Sequence, residues 1–289
     1  MKYEILILGE PASGKSNFLR MLAYKWTLAD SAVKQIKTPS MLLDQDIFEG
    51  YVVDRTQSDY KSGTWDLKFE NQEINIELPE YNGEEFLDIT QHANWTIEWN
   101  ERIINSKGIV LMIPVDKDEV YDLAKPCEQQ VETKKFEKKD AENIVGSDFN
   151  YIRFFQQVAL LKKISRKEVK KIPLVIIMNF WDKLDKTSIN ITPEDRLESI
   201  LPWFYNFIMC NWDKEYIQVY GASPLGSLAE SLRVRDKYPE DPSKMISDAR
   251  QKFLRNLQKQ SWVVTNDNPT IKNYDLSIPF IWMFKRLGN

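Results

Sequence analysis

The chain has 289 residues, 43% of them apolar, with 39 lysines and arginines against 43 aspartates and glutamates and a net charge of −4. That composition supplies core for one large domain or two small ones and leaves no broad basic footprint, so nucleic acid is not an expected partner. Two cysteines, Cys127 and Cys210, are too few for a disulfide framework and lack metal-ligand spacing, and no apolar run reaches the length of a membrane span, as expected of a cytoplasmic protein with no direct membrane insertion.

Met1-Lys2-Tyr3-Glu4 leads into Ile5-Leu6-Ile7-Leu8, an apolar run suited to a buried parallel strand. The next eight residues, Gly9-Glu10-Pro11-Ala12-Ser13-Gly14-Lys15-Ser16, spell the phosphate-binding loop G-x-x-x-x-G-K-S. Its glycines let the backbone fold back and aim N–H groups inward, making a nest for phosphate oxygens at a helix N-terminus. Lys15 is expected to reach the β- and γ-phosphates and the Ser16 hydroxyl to ligate Mg2+, with Asn17 in the first helical turn completing the set. Phe18, Leu19, Leu22 and Trp26 then recur at helical spacing.

Farther on, Trp65–Phe69 and Ile74–Leu78 alternate around the polar turn Glu70–Glu73, the pattern of a hairpin. Ile109–Ile113, Leu174–Met178 and Tyr216–Tyr220 are short runs suited to doubly covered strands. Between them lie an amphipathic helix carrying Tyr151, Phe154, Phe155, Val158, Leu161 and Ile164, and a second opened by Thr192-Pro193-Glu194 and running toward Cys210. Lys162 and Lys163 belong to a basic stretch read as a solvated helix end. Strands alternating with helices predict a three-layer α/β fold over a mostly parallel six-stranded sheet, with ligands at the carboxyl ends of the strands. Residues 1–289 read as one elaborated domain. A charged insertion spans about 117–148, read as solvated, with a partner-binding role as the other reading. A C-terminal helical extension spans about 225–289, with stripes at Met245–Leu257 and Pro279–Phe284.

A phosphate loop alone does not separate GTPases from ATPases or small-molecule kinases. Three later segments do. Glu77-Leu78-Pro79-Glu80-Tyr81-Asn82-Gly83-Glu84-Glu85-Phe86 resembles the D-x-x-G segment of P-loop GTPases and the switch that follows it. Asn179-Phe180-Trp181-Asp182 is similar to their N-K-x-D guanine motif, and Gly221-Ala222-Ser223 to their S-A-K segment. Most of residues 1–225 therefore resembles the translation-factor and Ras-related class of P-loop GTPases. Gly83-Glu84 and the C-terminal Pro279-Phe280-Ile281-Trp282-Met283-Phe284 are similar to bacterial double-GTPases of multi-gene systems.

The resemblance implies a Ras-like G domain that binds GTP and GDP with Mg2+. Asp182 would select guanine, because a carboxylate accepts from both the ring N–H and the exocyclic amine, a donor pair adenine lacks. Asn179 would support that loop, and Ala222 and Ser223 would offer backbone N–H groups to the guanine oxygen. Gly83 would sense the γ-phosphate, and Glu80, where the family has aspartate, would hold a magnesium-bound water. Glu84 stands where Ras has the glutamine that positions water; it is read either as catalytic or as a solvated switch residue. A switch threonine would close over magnesium, Thr56 in preference to Thr64, and Arg55 beside it is either an arginine finger in cis or a solvated loop residue. Phe180 replaces the family lysine, an aromatic ring taking over its packing along the base. His92 is read as a packing or surface residue. Trp95 and Trp99 face either a partner or the core. The function implied is a slow GTPase acting as a molecular switch for an effector or regulatory protein, or else an assembly module that binds GTP without turning it over.

Overall fold

The computed structural model describes residues 2–37, 61–80, 83–92, 94–115, 147–162, 170–184, 190–226 and 259–287. Most of the charged insertion, the stripe at Met245–Leu257, Ile164 and both Arg55 and Thr56 lie outside these residues. Strand β1 (Lys2–Leu8) runs into the phosphate loop and α1 (Lys15–Thr27). Strand β2 (Val33–Lys37) follows, then the hairpin β3 (Lys61–Phe69) and β4 (Gln72–Glu80), helices α2 (Gly83–His92) and α3 (Ile97–Asn105), and β5 (Gly108–Pro114). Helix α4 (Ser147–Leu161), β6 (Leu174–Asn179), α5 (Pro193–Ile200), α6 (Pro202–Asn211), β7 (Ile217–Ser223), β8 (Trp262–Thr265) and α7 (Ile278–Leu287) complete the order.

These strands form one sheet in the order β2-β3-β4-β1-β5-β6-β7-β8. Strands β4, β1, β5, β6 and β7 are parallel, as predicted for a fold whose ligands sit at the strand carboxyl ends. The sheet has eight strands where six are predicted. Both additions are antiparallel edges: β2 beside β3, and β8 beside β7. The hairpin turn is also tighter than predicted, only Glu70 and Asn71 lying between the strands, with Glu70 in the left-handed region at φ 54°. The helix predicted from Thr192 toward Cys210 is two helices. Pro202 lacks an N–H and restricts Leu201, which sits at φ −137°, ψ 61°, so the first helix ends there and a second begins.

Because successive strand residues face opposite ways, the central strands feed two cores. Ile5 and Ile7, Val110 and Met112, and Val175 and Ile177 face α1 and α7, while Leu6, Leu8, Leu111 and Ile176 face α2 to α6. On the first side Trp26 packs edge-on against Trp65 at 4.5 Å and Phe280 at 5.7 Å, and its Nε1 donates to Ser277 Oγ at 2.8 Å. The Pro279–Phe284 stripe is therefore core, as its spacing predicts, and it reaches across to the phosphate-loop helix. On the second side Trp99 is buried, and the half-buried Trp95 ring lies tilted at 5.7 Å from that of Phe154, so both pack against this core. Lys162 departs from its solvated reading: it is half-buried, and its Nζ donates to the Ser106 carbonyl.

Candidate nucleotide site

The carboxyl ends of β1, β6 and β7 bring the phosphate loop and the base loop together. In the phosphate loop, Ser13 N donates to Glu10 O at 3.2 Å, Ala12 has φ 59° and Gly14 φ 83°. Alternating hand in this way turns successive N–H groups to one side and leads into the N-terminus of α1, the arrangement that favours anions. Lys15 is half-buried and its Nζ donates to Gly9 O at 2.6 Å, Glu10 O at 3.0 Å and Ser13 Oγ at 3.4 Å. The ammonium is thus centred on the loop rather than extended into solvent. Pro11 is half-buried, and Ser16 and Asn17 follow in the first turn of α1.

The base loop is pinned to the phosphate loop directly. Asn179, the last residue of β6, is fully buried, and its Nδ2 donates to Ser13 O at 2.7 Å, while among the described residues its Oδ1 has no hydrogen-bond donor. Contact here leaves no room for a larger residue: a Cβ on Gly14 would lie 2.2 Å from Asn179 Nδ2 and 3.0 Å from Phe180 Cζ. Phe180 holds φ 62° and opens a 3-10 turn over Trp181–Lys183. Trp181 is driven into the core against β7, where a Cβ on Gly221 would come within 2.5 Å of its Cδ2. Asp182 is exposed, and its Oδ1 accepts from Ser223 Oγ, which in turn accepts from Gly226 N at 3.1 Å. Ala222 is buried inside β7, in register with Asn179.

Switch-like residues stand at the end of β4. Glu80 is its last residue, paired in register with Lys61; Gly83 opens α2, and Glu84 lies in that helix's first turn. The next residue, Glu85, accepts from Trp99 Nε1 at 3.3 Å, and Phe86 packs on Tyr151 and Phe154 of α4. Thr64 is an exposed mid-strand residue of β3, opposite Glu77, and His92 is exposed at the end of α2. Among the described residues no three His, Cys, Asp or Glu side chains cluster as a metal site. A hydroxyl at the N-terminus of α1, beside the phosphate loop, is nonetheless hard-oxygen chemistry of the kind magnesium takes together with phosphate and water oxygens.

Two features of the base loop escape sequence reasoning. Ser223 is expected to act through its backbone, yet its hydroxyl is the partner of Asp182, 41 residues away. Lys183 carries no motif signal, yet its Nζ lies 4.6 Å from the centroid of the Phe180 ring. The one available signal for the latter is the three-residue spacing, since side chains at i and i+3 eclipse in a 3-10 turn.

A comparison with curated proteins found no match. The model of a protein family described as Double-GTPase 1 matches residues 6–283, a span that includes the phosphate loop, the base loop and most of both cores. With nearly the whole chain covered, this protein belongs to the Double-GTPase 1 family of GTP-binding GTPases.

Proposed function

We propose that the chain binds GTP with magnesium, hydrolyses it slowly to GDP and phosphate, and serves in the cytoplasm as a nucleotide-controlled switch for a partner protein that contacts the segments after β2 and β4. The observation that carries this reading is the hydrogen bond from Asn179 to Ser13 O, which fastens a base loop ending in Asp182 to a loop built for phosphate. In-line attack by water on a γ-phosphate needs positioning and charge stabilisation more than covalent help. Loop N–H groups and Lys15 supply both, Ser16 holds magnesium with Glu80 and Thr56 in support, and magnesium when bound neutralises charge on the phosphate oxygens. Glu84 orients the water and Arg55 adds positive charge in cis. Asp182, steadied by Ser223, takes the two guanine donors.

Lys15→Ala is expected to abolish GTP binding and phosphate release. Unchanged affinity in that variant would refute the site. The second reading, a GTP-binding assembly module with almost no turnover, is favoured by one feature of the sequence: by resemblance Glu84 stands where Ras has its water-positioning glutamine, and a carboxylate there would be repelled by a γ-phosphate. Protein that still carries intact GTP after long incubation with magnesium would support that reading over hydrolysis.

A further inference from the structure

Phe180 has no lysine stem to offer a nucleotide, and the 3-10 turn that follows it supplies a substitute. Lys183 N donates to Phe180 O at 2.9 Å and Leu184 N to Trp181 O at 3.3 Å, so the turn has three residues per repeat and stacks position 183 over position 180. The Lys183 ammonium consequently sits 4.6 Å from the ring centroid. Burial of Trp181 between them fixes the turn from below, and the edge of the Phe180 ring is fixed against Gly14. A non-glycine residue at φ 62° is costly, and a position so constrained on all sides is where such cost persists. The outcome is a half-buried aromatic ring, capped by a cation, beside the exposed carboxylate of Asp182.

We infer that Phe180 and Lys183 act as one unit in guanine-nucleotide binding: the ring face turned away from the ammonium is the surface on which the purine stacks, and Lys183 is a positioning residue that holds the ring. Rings of this kind hold bases through their π-faces, and a cation over the ring adds a smaller electrostatic increment. Lys183 acts through Phe180, so its contribution requires the ring.

This inference rests on the guanine-site reading, and a double-mutant cycle with GDP and magnesium, read by calorimetry, separates the two. Phe180→Leu is expected to weaken GDP binding about tenfold. Lys183→Met is expected to weaken it about threefold, and Lys183→Arg to restore it. In the Phe180→Leu background Lys183→Met should change nothing further, and thermal unfolding of every variant should stay close to that of the parent. Wild-type affinity in Lys183→Met, or the same threefold loss in both backgrounds, would overturn the unit while leaving the guanine site standing. Failure of the unmodified protein to bind GDP would overturn both.

Discussion

The phosphate loop and the base loop meet where Asn179 Nδ2 donates to Ser13 O, yet they are held by opposite means. The first is backbone made rigid by its own neighbours: two left-handed residues, one short turn, and a lysine that donates to Gly9 O, Glu10 O and Ser13 Oγ of the same loop. The second is assembled from distant side chains. Asn179 reaches Ser13 across 166 positions, Ser223 reaches Asp182 across 41, and Trp181 depends on a gap at Gly221. A loop of the first kind is encoded locally and survives changes elsewhere, whereas one of the second kind reports on the packing of β6 against β7.

The strongest blow to that contrast is struck where the loops touch. Gly14→Ala combines a left-handed residue's penalty with a clash at Asn179 Nδ2, and the loss of both loops is expected to weaken nucleotide binding about 100-fold or more by calorimetry. Asn179→Ala removes the link alone and leaves Ser13 O without this partner. We expect about 1–3 kcal/mol less stability in denaturant titration together with about tenfold weaker GTP binding. Ser223→Ala touches only the base loop. The discrimination between GTP and ITP, which lacks the exocyclic amine, should fall several-fold, with stability reduced by about 1 kcal/mol and with no change in affinity for inorganic triphosphate.

The mildest test lies away from both loops. Burial, with a smaller push from Lys107 and an opposing pull from Glu4, lowers the Lys162 ammonium to a pKa of about 8 against 10.5 for the free side chain. Between those values the unfolded chain keeps a proton that the folded chain has shed, so stability gains with rising pH and the gain is lost as pH falls through 8. Relative to Lys162→Met, the unmodified protein should therefore gain stability from pH 8 to 10 in chemical denaturation, with nucleotide affinity the same in both.

Much of this arrangement is legible in the residues, and the exceptions share a cause. Ile5–Leu8, Ile109–Ile113 and Leu174–Met178 announce themselves because both faces of a parallel strand are buried. Strand β2 does not: Val33-Lys34-Gln35-Ile36-Lys37 has two apolar residues, and a register shift between Gln35 and Lys37 breaks the alternation that would reveal it. Strand β8 is four residues long and lies in a tail whose stripes read as helical. The phosphate loop is complete in eight consecutive residues, so its position and chemistry follow from the sequence. Ser223 and Lys183 are different, because what they do is fixed by the turn after Phe180 and by strand pairing, neither of which has a local signature. Family membership over residues 6–283 agrees with the double-GTPase resemblance drawn from Gly83-Glu84 and Pro279–Phe284.

The most direct test of a guanine site at Asp182 is equilibrium binding of slowly hydrolysed GTP and ATP analogues, with magnesium, to the unmodified protein and to Asp182→Asn. The expected result is strong GTP preference in the former, about 100-fold, that is lost in the variant through weaker GTP binding rather than tighter ATP binding. Equal or better ATP binding to the unmodified protein would contradict the guanine site and make the base loop's resemblance accidental.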